Sequence, residues 1–277
     1  MPNLNCPLSR SLWEAIESRR RCTGESLSHI VQNLLAAGLA LDHHTLFQVS
    51  TSGALVEGVY QGCVSVADLK RHGDFGLGTF EGLDGEMMLL DGHCYQARSD
   101  GSVREAPDSV LTPFAVVTRF QADRTVPLEA VAGWSDLAQQ LDGLRTSNNL
   151  FYGLKLAGSF DWLKLRTACR TEPGVDLVTA TAHQAEFEFE AIAGTLVGFW
   201  TPDYARTLNV PGYHLHFISH DRRHGGHLLN LRSGPLQLQL ALESDFHLAL
   251  PETPAFLQAD LTQDPSQALA LSDSSGR

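Results

Sequence analysis

From residue 45 onward the chain is written in short apolar, β-branched and aromatic runs separated by glycine turns, and that texture confines it to a β-rich fold. "LFQVST", "GTLVGFW", "YHLHFIS" and "LQLQLAL" alternate or run apolar at strand length. "GDFGLGTFEGLDGEMMLLDGHCYQ" reads as strands joined by Gly and Asp-Gly turns. Helical periodicity is confined to patches such as "SVADLKRHG" and "PLEAVAGWSDLAQQLDG". The expected architecture of residues 45–277 is therefore α+β with no internal repeat, in a chain of 277 residues, long enough for one large or two modest domains. The glycines of "GDFGLG" do not form GxGxxG and no Lys-Ser/Thr pair follows, so tight β-turns explain them better than a nucleotide site.

Residues 1–44 differ in texture. "SRSLWEAIESRRRC" places Leu12, Trp13 and Ile16 at helical spacing and "TG" stops it. "ESLSHIVQNLLAAGLAL" repeats the pattern, with Ser26 as N-cap and an apolar stripe of Leu27, Ile30, Val31, Leu34 and Leu35. With the extended piece "NLNCPL" ahead of both helices, this segment resembles a ribbon-helix-helix module, the small dimeric unit of many bacterial repressors. Its strand offers only Asn3 and Asn5, and four arginines (Arg10, Arg19, Arg20, Arg21) face four acids (Glu14, Glu17, Glu25, Asp42), so it is neutral. A neutral module on a chain of net charge -12 is a poor match for a phosphate backbone, so dimerisation or simple accessory packing is expected of it before DNA binding.

The same charge argues against a membrane-surface protein, and an anionic substrate needs a local positive centre. Cys6, Cys22, Cys63, Cys94 and Cys169 are scattered and form no CxxC pair, which fits reduced thiols in the cytoplasm. The N-terminus lacks the apolar core of a signal peptide, and the longest apolar run, "LLAAGLAL", is too short to span a bilayer.

Five of the twelve histidines fall within "VPGYHLHFISHDRRHGGHLLNL". His214 and His216 are two apart in a strand-like run and so share one face, about 7 Å apart along the strand. "DRRHGG" is a polar turn, and the returning strand brings His227 back beside them. An HxH pair plus a hairpin-returned histidine suits a divalent metal, zinc preferred, with an open position for substrate. His220 and His224 sit in the turn and are expected to be solvated.

Five strings, "FQVSTSGALVEGVYQG", "RHGDFGLGTFEGLDGEM", "NLFYGLKLAGSF", "HQAEFEFEAIAGTLVGFWTP" and "VPGYHLHFIS", taken in order, resemble the alpha-acetolactate decarboxylase family from about residue 46 to the C-terminus. The resemblance implies a mixed α/β body, a β-sheet plus a β-barrel-like half. It also implies a homodimer and zinc-dependent decarboxylation of 2-acetolactate to acetoin and CO2, a step of acetoin and 2,3-butanediol biosynthesis that requires no organic cofactor. The family's zinc histidines fall on His214, His216 and His227, its pocket threonine on Thr79, its first glutamate on Glu86 and its arginine on Arg166. Arg166 is then expected to orient the departing carboxylate or bear on the charge that replaces it, and Glu86 to manage the incoming proton. The family's C-terminal glutamate falls on Asp273, whose side chain is one methylene shorter, so Glu86 is expected to do more of the work. On residues alone, Glu86 reads as a turn cap, Arg166 as a surface partner of Asp161 or Glu172, and Thr79 as a strand former. A competing reading makes the body an acetolactate or metal sensor and residues 1–44 its DNA-binding module.

Overall fold

The computed structural model describes residues 5–39, 44–182 and 184–274, except the side chains of Asp273 and Ser274. The chain divides into two compact units, Met1–His43 and His44–Arg277.

The first unit is a helical hairpin. Its helices, Arg10–Thr23 and Leu27–Gly38, are capped by the hydroxyls of Ser9 and Ser26, which accept from Leu12 N and His29 N. Gly24, at φ +75°, ends the first helix in the left-handed conformation. Ile16 and Ile30 are buried, whereas Leu12, Trp13, Leu34 and Leu35 are about half exposed. Residues 5–8, the described part of the extended piece, form no strand, and Asn3 lies outside the described residues.

The second unit is built on two sheets. The first has seven strands in the order Asp245–Ala249, Thr45–Val49, Ala115–Thr118, Phe75–Thr79, Glu86–Leu90, His93–Ala97 and Val103–Glu105. The second runs Ala185–Thr201, Gly212–Ser219, Gly225–Ser233, Phe151–Thr167, Leu236–Glu243 and Arg124–Leu128. Because Phe151–Thr167 also pairs along its length with Ala185–Thr201, four of these strands close into a small barrel. The β-rich α+β body expected from the residue pattern, and the sheet plus barrel-like half that the family resemblance implies, are the observed architecture.

Strand alternation sorts the side chains into layers. Leu163, Leu165, Leu196, Leu215, Phe217, Leu228 and Leu231 fill the barrel. Val197, Phe199 and Ile218 point outward and pack with Phe75, Leu77, Met88 and Leu90 of the seven-stranded sheet. The opposite face of that sheet carries Phe47, Val49, Leu89 and Val117, which pack with Val66 and Leu69 of the helix Val66–His72. The helix expected across "PLEAVAGWSDLAQQLDG" begins only at Trp134. Pro127 and Leu128 instead end an edge strand paired with Gln237 and Leu236. An edge tolerates a proline's missing N–H.

Glu243 is an acid buried between the layers, 1% exposed, which accepts from the Thr118 hydroxyl at 2.9 Å through one oxygen. Its other oxygen has no hydrogen-bond partner among the described residues. Burial, opposed by the Thr118 hydrogen bond and reinforced by Asp123 and Asp245, pushes its pKa up to about 8. A carboxyl raised in the folded state stabilises the fold while both states are protonated, and that contribution is lost as pH rises through the folded value. Wild-type stability therefore falls relative to Glu243→Gln between about pH 4.5 and about pH 8, and the difference is constant above that. Thermal melts at pH 5 and pH 9 should show the variant gaining several degrees on the wild type at the higher pH, and parallel melts would refute the assignment.

Candidate metal centre

The three candidate histidines arrive through hairpin register. His216 and His227 are direct cross-strand partners, and His227 is also paired with Arg166 on the next strand. Regular alternation from Leu231 would send His227 into the barrel. A register shift opposite Lys164 and Leu165 adds Leu229 to its strand, so that Leu228 and Leu231 both face inward though three residues apart. The bulge thereby turns His227 outward, beside His216 and Arg166. Gly226, at φ +154°, makes the approach possible, since a Cβ there would lie 2.6 Å from the Arg166 carbonyl oxygen.

Each of the three rings offers one nitrogen within 4.8 Å of the other two, and among the described residues this is the cluster of histidine, cysteine and acid side chains suited to a metal. The Nε2 atoms of His214 and His216 lie 3.1 Å apart. Two imidazole ligands of one tetrahedral zinc are separated by about 3.3 Å, given zinc–nitrogen bonds near 2.0–2.1 Å. His216 Nδ1 is 2.8 Å from the Met87 carbonyl oxygen, to which it can only donate, so its Nε2 carries the lone pair. Burial, then His216, then Arg166 hold the pKa of His214 well below the ordinary imidazole range, which keeps it neutral as a ligand must be. The residues therefore fit a divalent metal. His220 is exposed and His224 packs on Phe189 with ring centroids 4.8 Å apart; both stand outside the cluster.

Opposite the histidines stands the edge of the seven-stranded sheet. Glu86 begins the strand Glu86–Leu90 with Thr79 as its cross-strand partner. Gly85 makes the turn before it with φ +90°, where a Cβ would sit 2.1 Å from the Ala97 carbonyl oxygen. Oε1 of Glu86 accepts from Ala168 N at 3.2 Å and from the Arg166 guanidinium at 3.4 Å, and Oε2 is 3.5 Å from His216 Nε2. Both Glu86 and Arg166 are buried. Arg166 pairs with this acid and not with Asp161 or Glu172. The Thr79 hydroxyl donates to the Gly85 carbonyl at 2.8 Å, so toward a ligand it can only accept.

Thr79, Glu86, Arg166, His214 and His216 are among the residues that line a cavity of about 70 Å³. Leu55, Leu83, Phe114, Leu177, Val210 and Leu269 make up much of the remainder. The space takes a few water-sized groups, which suits a small ligand. An open groove near Tyr60, Gly82 and Arg170 is larger, about 620 Å³, but His214 and His216 line the smaller cavity. The apolar wall was not legible in the sequence, because its leucines read only as core. Asp273 falls in the helix Ser266–Ser274, directly after the pocket-lining Ser272, but its side chain lies outside the described residues.

Residues 46–263 match the model of the alpha-acetolactate decarboxylase family. An alpha-acetolactate decarboxylase of Methanosarcina mazei is 48% identical over 225 residues, covering 81% of this chain and 78% of that one. One of Brevibacillus brevis is 44% identical over 221 residues, covering 79% and 78%. The crystal structure of alpha-acetolactate decarboxylase from Bacillus subtilis strain 168 superposes with a TM-score of 0.81 at 35% identity, covering 83% of this chain and all of that one. The chain belongs to the alpha-acetolactate decarboxylase family.

Proposed function

We propose that the chain decarboxylates 2-acetolactate to acetoin and CO2 with a zinc ion held by His214, His216 and His227. The observation that carries this reading is the cluster of three imidazoles, two of which line one small cavity together with the Glu86–Arg166 pair, in a chain of this family. When bound, the ion supplies a Lewis acid that draws electron density toward the substrate's ketone oxygen. Arg166 holds the substrate carboxylate, for which its planar fork is suited, and keeps a positive charge beside the reacting atoms. As the carbon–carbon bond to the carboxylate breaks, its electron pair moves toward the ketone. Glu86 then delivers a proton to the carbon that carried the carboxylate and recovers it from solvent. Thr79 accepts from the substrate hydroxyl, and Asp273 is assigned an auxiliary part from the C-terminal helix.

Two copies of the chain form the working unit, and the hairpin of residues 1–44 is an accessory module for association. Its neutral charge supports association over nucleic-acid binding, since the whole net charge of -12 resides in residues 45–277. Among the described residues no helix is long and apolar enough to cross a membrane, and no two cysteines form a disulfide. Reduced thiols support the cytoplasm as the place of work. The test is acetoin formation from racemic acetolactate by purified protein, with its mass read by light scattering. Stripping with a chelator should abolish turnover, stoichiometric zinc should restore it, and the mass should be twice that of the chain. Zinc-replete protein without turnover would overturn the reading.

A further inference from the structure

The two walls of the cavity differ in chemistry. The polar wall comes from strands of both sheets. Much of the apolar wall comes from three short helices that pack on one another: Ser52–Val56, Leu177–Thr181 and Ser266–Ser274. Each presents one leucine to the cavity, Leu55, Leu177 and Leu269. The last of these helices follows the stretch that matches the family, residues 46–263. Leu269 is 4% exposed and belongs to the core cluster that also holds Leu55, Phe114, Leu177 and Val210. Ser272, one turn further on and also lining the cavity, donates its hydroxyl to the Leu269 carbonyl at 2.8 Å, which keeps the hydroxyl from presenting that proton to a ligand.

We infer that Leu269 is a specificity-determining residue that limits the length of the substrate's alkyl substituents. The inference rests on the decarboxylase reading. 2-Acetolactate carries its carboxylate, hydroxyl and ketone on one side, which the polar wall can receive, and two methyl groups that must then meet the leucines. A cavity of about 70 Å³ leaves little slack. An added methylene presses on the leucines that line the cavity, Leu269 among them. One methylene in an apolar pocket is worth roughly a 10- to 200-fold difference in kcat/KM.

The test compares racemic acetolactate with its homologue in which one methyl is an ethyl, using zinc-loaded full-length protein. The wild type should prefer the methyl substrate, and Leu269→Ala should move the ratio of kcat/KM about tenfold toward the ethyl substrate. Leu269→Val, a milder truncation that covers the case in which alanine unfolds the chain, should move the ratio the same way by less. Leu141→Ala, in the barrel-side core and away from the cavity, should lower the melting temperature and leave the ratio alone. A ratio unmoved in both Leu269 variants, with wild-type turnover intact, overturns the inference alone. Absence of turnover of either substrate by the wild type overturns the decarboxylase reading and the inference with it.

Discussion

His216→Ala will lose stoichiometric zinc and, with it, acetoin formation by about a thousandfold or more, the several kcal/mol that a Lewis acid contributes to such a barrier. His216 is chosen because it has two tasks in the geometry. Its Nε2 faces His214 at 3.1 Å and its Nδ1 is tied to the Met87 carbonyl at 2.8 Å. The second contact links the barrel to the seven-stranded sheet, so alanine also opens a hole at a residue only 1% exposed. A small fall in melting temperature is expected on that account. Metal content by elemental analysis separates the two effects, because a merely destabilised protein would still bind zinc below its melting point. His224→Ala provides the comparison: its ring packs on Phe189 outside the cluster, so zinc and turnover should stay within twofold of wild type. A His216→Ala protein that keeps both its zinc and its turnover would falsify the three-histidine assignment.

The histidine pattern was legible because it depends on two local rules. Side chains two apart on a strand share a face, and a short polar turn returns the chain alongside itself. These rules place His214, His216 and His227 near one another but do not fix the side on which His227 points. The added residue at Leu229 decides that, and nothing in "GGHLLNLRS" announces a bulge. The pairing of Glu86 with Arg166 was likewise beyond local rules. Eighty positions separate the two, and they meet only because the barrel's outer face packs on the first sheet. The segment Pro127–Leu128 misled because it opens an apparently helical stretch, and its strand partners, Gln237 and Leu236, lie over a hundred residues away. The C-terminal helix gave no signal of its role: "SQALALSDS" has little amphipathic pattern, yet Leu269 and Ser272 are buried where they reach the cavity. In each case the missing information was tertiary.

Glu86→Gln will lower kcat by roughly 10²- to 10⁴-fold, the usual contribution of a positioned proton donor, while Asp273→Asn will cost less than tenfold. The geometry gives a reason for this order. Glu86 is held from two sides, by Ala168 N and the Arg166 guanidinium, with its second oxygen 3.5 Å from His216 Nε2. Glutamine keeps the volume and can still accept through its carbonyl oxygen, so the fold and the Arg166 contact should survive while the transferable proton is gone. The aspartate is one methylene shorter than glutamate and stands on the helix Ser266–Ser274. Rate alone does not distinguish a lost proton donor from a disturbed pocket, so the product gives the decisive readout. A proton delivered from one fixed carboxyl reaches one face of the carbon and yields acetoin of one hand, whereas a proton taken from solvent can arrive on either face. Residual acetoin from Glu86→Gln should therefore have a reduced enantiomeric excess, with that from Asp273→Asn unchanged. Chiral chromatography of the two products reads this directly. The reverse pattern, with turnover and handedness retained in Glu86→Gln and both lost in Asp273→Asn, would transfer the proton to the C-terminal helix and leave Glu86 as the group that positions Arg166.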